Sequence, residues 1–141
     1  MSRILLVEDE PCILALMSEV LGSSGHVLLK ASAVEQALQQ VEAADASIDL
    51  VIADVSLPGT SGIRMALELR SILPNLGIVL TSGHPPDMWN PQDVAELDEV
   101  PSESVAVLQK PFLPAALLQT VSRFVSIPIK PGMALEKTAT N

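Results

Sequence analysis

Arg3-Ile4-Leu5-Leu6-Val7-Glu8-Asp9-Glu10 opens the chain with an apolar run that stops abruptly in acids. From Ile4 to Val7 no polar residue interrupts the run. A strand with one wet face would alternate, so this pattern predicts a strand covered on both faces, as in a parallel sheet. The run is far shorter than the ~20 apolar residues of a membrane span, and it does not resemble a signal peptide.

The same form recurs along the chain. Val27-Leu28-Leu29, Leu50-Val51-Ile52-Ala53, Ile78-Val79-Leu80 and Val105-Ala106-Val107-Leu108 are further apolar runs of strand length. Helical spacing fills the gaps. Ile13, Leu14, Met17, Val20 and Leu21 follow Pro11, which a first helical turn tolerates, and Gly22 and Gly25 are stop signals. Ser32 with Glu35 reads as a capping box before Val34, Ala37, Leu38 and Val41. A helix is expected from about Ser61 to Leu73, stopped by Pro74, with Met65, Leu69 and Ile72 as packing positions. Pro85 and Pro86 break the rhythm, and Asn90-Pro91 caps a short helix holding Val94 and Leu97. The last helix starts near Pro114 and carries Leu117, Leu118, Val121, Phe124 and Val125 on one stripe.

Strands alternating with helices imply right-handed βαβ units, hence an α/β doubly wound five-stranded parallel sheet with helices on both faces. The 141 residues suit one domain, placed at 1–126, followed by a flexible C-terminal tail over 127–141. Hydrophobic residues are 48%, enough for a core. With 17 acids against 8 bases the net charge is -9, which argues against nonspecific nucleic-acid or anionic-membrane partners. The single cysteine, Cys12, excludes an internal disulfide and is expected to be an inert buried or half-buried residue. His26 and His84 have no matching ligand set and read as structural or solvated. A cytoplasmic location is the expectation from these features.

Ligands of such sheets bind beyond the carboxyl ends of the strands. The first strand ends in Glu8-Asp9-Glu10, the third in Asp54, the fourth in Thr81-Ser82 and the fifth in Lys110-Pro111. If the first and third strands are neighbours, their carboxylates crowd. At an effective dielectric near 20, each pair repels by roughly 3–4 kcal/mol at ~4–5 Å. A proton, Lys110 or a hard dication relieves that. One lysine cannot neutralise several acids, so a metal is the expected relief, and magnesium suits an open all-oxygen site. Taken singly, each feature has a plainer reading: acids at a helix N-terminus, a turn aspartate, a turn Thr-Ser-Gly, a surface lysine. Jointly, chance would have to place them after separate strands.

Arg3-Ile4-Leu5-Leu6-Val7-Glu8-Asp9-Glu10, Asp49-Leu50-Val51-Ile52-Ala53-Asp54 with Leu57-Pro58-Gly59 and Gly62, Leu80-Thr81-Ser82-Gly83 and Lys110-Pro111-Phe112 together resemble the receiver domain of two-component response regulators. The resemblance runs from about Ser2 to Ser126. It implies the flavodoxin-like fold with strand order 2-1-3-4-5. It also implies that Asp54 is the phosphoacceptor, that Asp9 and Asp54 ligate magnesium or manganese directly, that Glu8 acts through water, and that the Ser56 backbone carbonyl completes the metal set. Thr81 and Lys110 match the groups that meet the phosphoryl oxygens, and the Lys110–Pro111 peptide matches a cis bond. The implied partners are a sensor histidine kinase or a histidine phosphotransfer protein, and a downstream protein that reads the changed surface.

Two departures stand out. Many receivers carry Tyr or Phe three residues before the lysine, where this chain has Val107. A β-branched aliphatic side chain cannot swing inward as a ring does. The segment between Thr81 and Lys110 also looks long and proline-rich, and its family counterpart lies on the face that signals to partners or forms homodimers. The expectation is that the His84–Pro91 loop, with Trp89, moves in place of the aromatic. Gly83 leaves little cover over the site, so the phosphoryl lifetime should not be especially long.

About fifteen residues after the last helix are too few for a DNA-binding fold. The expectation is therefore a stand-alone receiver or one cut from a larger chain such as a hybrid kinase, with the Met1 start favouring the former. The function expected is a phosphorylation-switched receiver, not an enzyme turning over an outside metabolite. The alternative is a phosphorylation-independent interaction module of the same fold, motivated by Val107. An aspartate-nucleophile phosphohydrolase would want a second acid at Ser56, and a flavin carrier would want a phosphate loop after the first strand.

Overall fold

A computed structural model describes residues 2–45 and 47–125. The expected tail over 127–141 lies outside the described residues. The strands are β1 (Arg3–Val7), β2 (Val27–Ala31), β3 (Leu50–Asp54), β4 (Gly77–Ser82) and β5 (Val105–Gln109). The helices are α1 (Pro11–Gly22), α2 (Val34–Ala43), α3 (Gly62–Ile72), α4 (Pro91–Leu97) and α5 (Pro114–Val121). The strands form one parallel sheet in the order β2-β1-β3-β4-β5.

Strand side chains alternate between the sheet's two faces. Leu5, Val7, Val51, Ala53, Ile78 and Leu80 pack with α2 and α3 residues such as Ala37, Ile63 and Leu69. Ile4, Leu6, Leu50, Ile52 and Val79 pack on the other face with Met17 and Leu21 of α1 and Leu117 and Val121 of α5. Every residue of β3 is buried. The apolar runs thus serve two cores at once, which is why they lack polar interruption.

Several local expectations need correction. Ser32 does not cap α2: Ala33 is the N-cap, and Gln36 rather than Glu35 reaches back, its Oε1 accepting from the Ser32 N–H at 2.7 Å. Ile72, the last residue of α3, is 62% exposed rather than packed. Cys12 is exposed in the first turn of α1. The last helix ends at Val121, so Phe124 and Val125 pack from the turns beyond it. Elsewhere the capping chemistry holds. Ser61 accepts from the Ile63 N–H, and Asn90 accepts from the Gln92 and Asp93 N–H groups.

Candidate functional site

The register explains how the site assembles. Val7 pairs with Ala53, so the next residues, Glu8 and Asp54, leave neighbouring strands side by side. Asp54 in turn pairs with Thr81. Glu8, Asp9 and Asp54 each offer a carboxylate oxygen, and these oxygens lie within 4.8 Å of one another. Asp9 is exposed, whereas Glu8 and Asp54 are buried.

Lys110 reaches into this cluster from the end of β5. Its Nζ donates to Asp54 Oδ2 at 3.0 Å and stands 2.7 Å from Glu8 Oε1. The second approach is an ion pair by distance, but Glu8 Oε1 has no aligned hydrogen-bond donor. Glu8 Oε2 accepts from the Glu10 N–H, and Asp54 Oδ1 accepts from the Ser56 N–H. Burial pushes the Glu8 carboxyl above the usual carboxylate range, and the Asp54 charge adds to this against the pull of Lys110 and the Glu10 amide. For Lys110, burial acts downward, but Glu8 and Asp54 together outweigh it and the ammonium is held above its ordinary value. The Lys110–Pro111 peptide is cis.

Thr81 is buried and its Oγ1 has no partner. A buried hydroxyl in that state is left without an acceptor. Gly62 is the tightest fit at the site. A Cβ there would stand 1.9 Å from the Asp54 carbonyl oxygen, so the start of α3 presses directly on the Asp54 backbone. Gly59 takes φ 85 in the turn that leads there, a conformation glycine adopts freely.

The donor set fits a small hard cation. It consists of carboxylate oxygens, one of them without an aligned donor, converging beside a single ammonium. Such oxygens suit magnesium or manganese and not a soft metal.

Sequence reasoning brought Glu8, Asp9, Asp54, Thr81 and Lys110 to one mouth, and the structure does the same. Val107 stands apart from them, 43% exposed on β5. Trp89 is buried, with its Nε1 donating to Ser82 Oγ at 3.2 Å and to the His84 carbonyl at 3.1 Å. The segment around it contains a 3-10 turn at Pro86–Met88 and leads into α4. Sequence reasoning missed Arg64, which joins α3 to α4 by pairing with Asp93 at 3.1 Å and with Glu96. The only trace in the sequence was two acids one turn apart on α4. A cavity of about 200 Å³ lies beside Trp89, bordered by Val55, Ser56, Ser61, Ser82 and Asn90.

A doubly wound parallel sheet with an acid cluster and a lysine at its carboxyl edge is the arrangement of a receiver-type signalling domain, and the family comparison agrees. The chain belongs to the response regulator receiver domain family, which matches residues 4–122. It is 36% identical over 84 residues to the transcriptional regulatory protein AruR of Pseudomonas aeruginosa, covering 57% of this chain and 34% of that protein. The chain spans about a third of the length of the curated relatives it matches. Among solved structures, the chemotaxis protein CheY4 of Vibrio cholerae superposes with a TM-score of 0.73 at 25% identity, covering 89% of this chain and 99% of that one. The receiver domain of the hybrid histidine kinase CckA gives a TM-score of 0.69 at 28% identity, covering 86% and 97%. Among the described residues no helix is long and apolar enough to cross a membrane.

Proposed function

We propose that this chain is a phosphorylation-switched receiver in which Asp54 accepts a phosphoryl group. The observation that carries the reading is the Asp54 carboxylate, buried among neighbouring acids and held at 3.0 Å by Lys110 Nζ. The donor is a phosphohistidine of a sensor histidine kinase or histidine phosphotransfer protein, or a small acyl phosphate. An Asp54 carboxylate oxygen forms the new bond to phosphorus as the bond to the donor nitrogen or acyl oxygen breaks; a histidine donor leaves as neutral imidazole with a proton from solvent, and an acyl donor leaves as its carboxylate. Lys110 faces the incoming oxygens, and the free Thr81 hydroxyl donates to one of them.

Asp9, Asp54, Glu8 through water and the Ser56 carbonyl would hold magnesium or manganese. When bound, the ion offsets the cluster's charge and screens the approach of one anion to another. The phosphoryl group adds roughly 2 negative charges, which Thr81 and Lys110 sense. Output is a changed protein-binding surface in the cytoplasm. Gly83 would meet nothing within 4 Å of an added Cβ, which supports open access for water and a phosphoryl lifetime that is not especially long.

The exposed Val107 favours one second reading, a phosphorylation-independent interaction module of the same fold. Magnesium-dependent labelling by an acyl phosphate or a kinase panel separates the two. Labelling in the natural chain and none in Asp54→Asn supports the receiver; no labelling in either supports the module.

A further inference from the structure

Ser82 is the joint between the acid cluster and the segment that follows β4. It directly follows Thr81, and its carbonyl accepts the Lys110 backbone N–H at 2.8 Å. Its hydroxyl donates to the His84 carbonyl at 2.9 Å and accepts from the His84 N–H at 3.0 Å. The same oxygen accepts from Trp89 Nε1 at 3.2 Å. The two residues that face the Asp54 carboxylate from β4 and β5 are therefore tied to Ser82, one by the chain and one by a backbone hydrogen bond.

Beyond Ser82 the connections continue. Trp89 is 8% exposed and packs within the core on the α2–α3 side of the sheet. Asn90, the next residue, caps α4 through its Oδ1. Asp93 and Glu96 of that helix are held by Arg64 from α3. The cavity beside the indole gives it room to shift without forcing neighbours apart.

We propose that Trp89, held through Ser82, carries the state of Asp54 to α4, doing from the β4–α4 segment what Val107 cannot do from β5. The inference rests on Asp54 being the phosphoacceptor. A phosphoryl group there draws Lys110 Nζ from Asp54 Oδ2 and gives the Thr81 hydroxyl an acceptor. Both changes move Ser82, the indole hydrogen bond to Ser82 Oγ is lost, and Asn90 moves the first turn of α4. Position 107 takes no part in this route.

Trp89 is the single tryptophan, so the full chain grown with 5-fluorotryptophan gives one fluorine resonance. It is followed during treatment with acetyl phosphate and magnesium, while intact mass counts phosphoryl groups on the same sample. The expected result is a shifted resonance in step with phosphorylation, and an indole more accessible to acrylamide by roughly 2- to 12-fold, the loss of one hydrogen bond. Asp54→Asn abolishes the shift. Ser82→Ala moves the resonance toward the phosphorylated position before any donor is added. Trp89→Phe keeps an aromatic ring without the donor, and amide exchange over residues 83–90 then stops responding to acetyl phosphate. Phosphorylation with a silent indole, or an unaltered exchange response in Trp89→Phe, overturns this inference alone. Absence of phosphorylation in the natural chain overturns the receiver reading and this inference with it.

Discussion

At the ends of β1 and β3, Glu8 and Asp54 arrive side by side because the strands pair one residue earlier, at Val7 and Ala53. Between β4 and β5 the chain leaves the backbone ladder after Ser82. There it is held by a hydroxyl, an indole, an asparagine cap and the Arg64 pairs. The first region is fixed by strand register, which cannot slip without turning every apolar side chain to the wrong face. The second is fixed by individual side chains. A molecule built this way keeps its acid cluster still and leaves the segment after β4 adjustable.

The most severe way to break that contrast is to disturb the rigid region at Gly62. Gly62→Ala places a methyl group 1.9 Å from the Asp54 carbonyl oxygen. It should cost about 3 kcal/mol by urea unfolding, since neither the strand nor the helix start can yield cheaply. A loss of under about 0.5 kcal/mol would show that the two regions are equally pliable.

Lys110→Ala comes next. It leaves the buried Glu8 and Asp54 carboxylates without their shared ammonium. Stability in metal-free buffer should fall by about 2 kcal/mol. Added magnesium should recover part of the loss, which calorimetry with and without the ion would measure.

Much of this rigid region was legible in the sequence, because it depends on local pattern. Apolar runs ending in Glu8, Asp54, Thr81 and Lys110 specify both the sheet and what projects from its edge. Asn90 was legible as a cap for the same reason. The Ser32–Glu35 box failed because Ser32 and Gln36 satisfy one another one position along, leaving Ala33 at the cap. The Ser82–Trp89 bond and the Arg64–Asp93 pair were not legible, since they join residues through space whose spacing carries no period.

Two milder tests sharpen the contrast on the adjustable side and away from the site. Arg64→Ala removes the part-buried pairing to Asp93 and the pairing to Glu96. Because Asp93 is buried, the substitution should lower the unfolding midpoint slightly while speeding amide exchange in α4 selectively, with α3 unaffected. The smallest effect concerns His26, whose buried Nε2 has no partner. Burial holds its imidazole below the ordinary value, with Asp49 acting against this. Its folded state therefore binds fewer protons than the unfolded chain between those two values, so stability is full above the ordinary imidazole range and declines as pH falls through it. His26→Leu should flatten that part of a stability–pH curve measured in urea.

The strand order leaves β2 and β5 at the borders of the sheet. Border strands bear unpaired amide and carbonyl groups, the usual seed of lateral growth into larger sheets. Both are five residues long, and β2 carries the charged Lys30. Brevity and charge at the margin oppose ribbon-to-ribbon aggregation, so copies of this chain should associate, when they do, by packing surfaces rather than by extending one another's pleats.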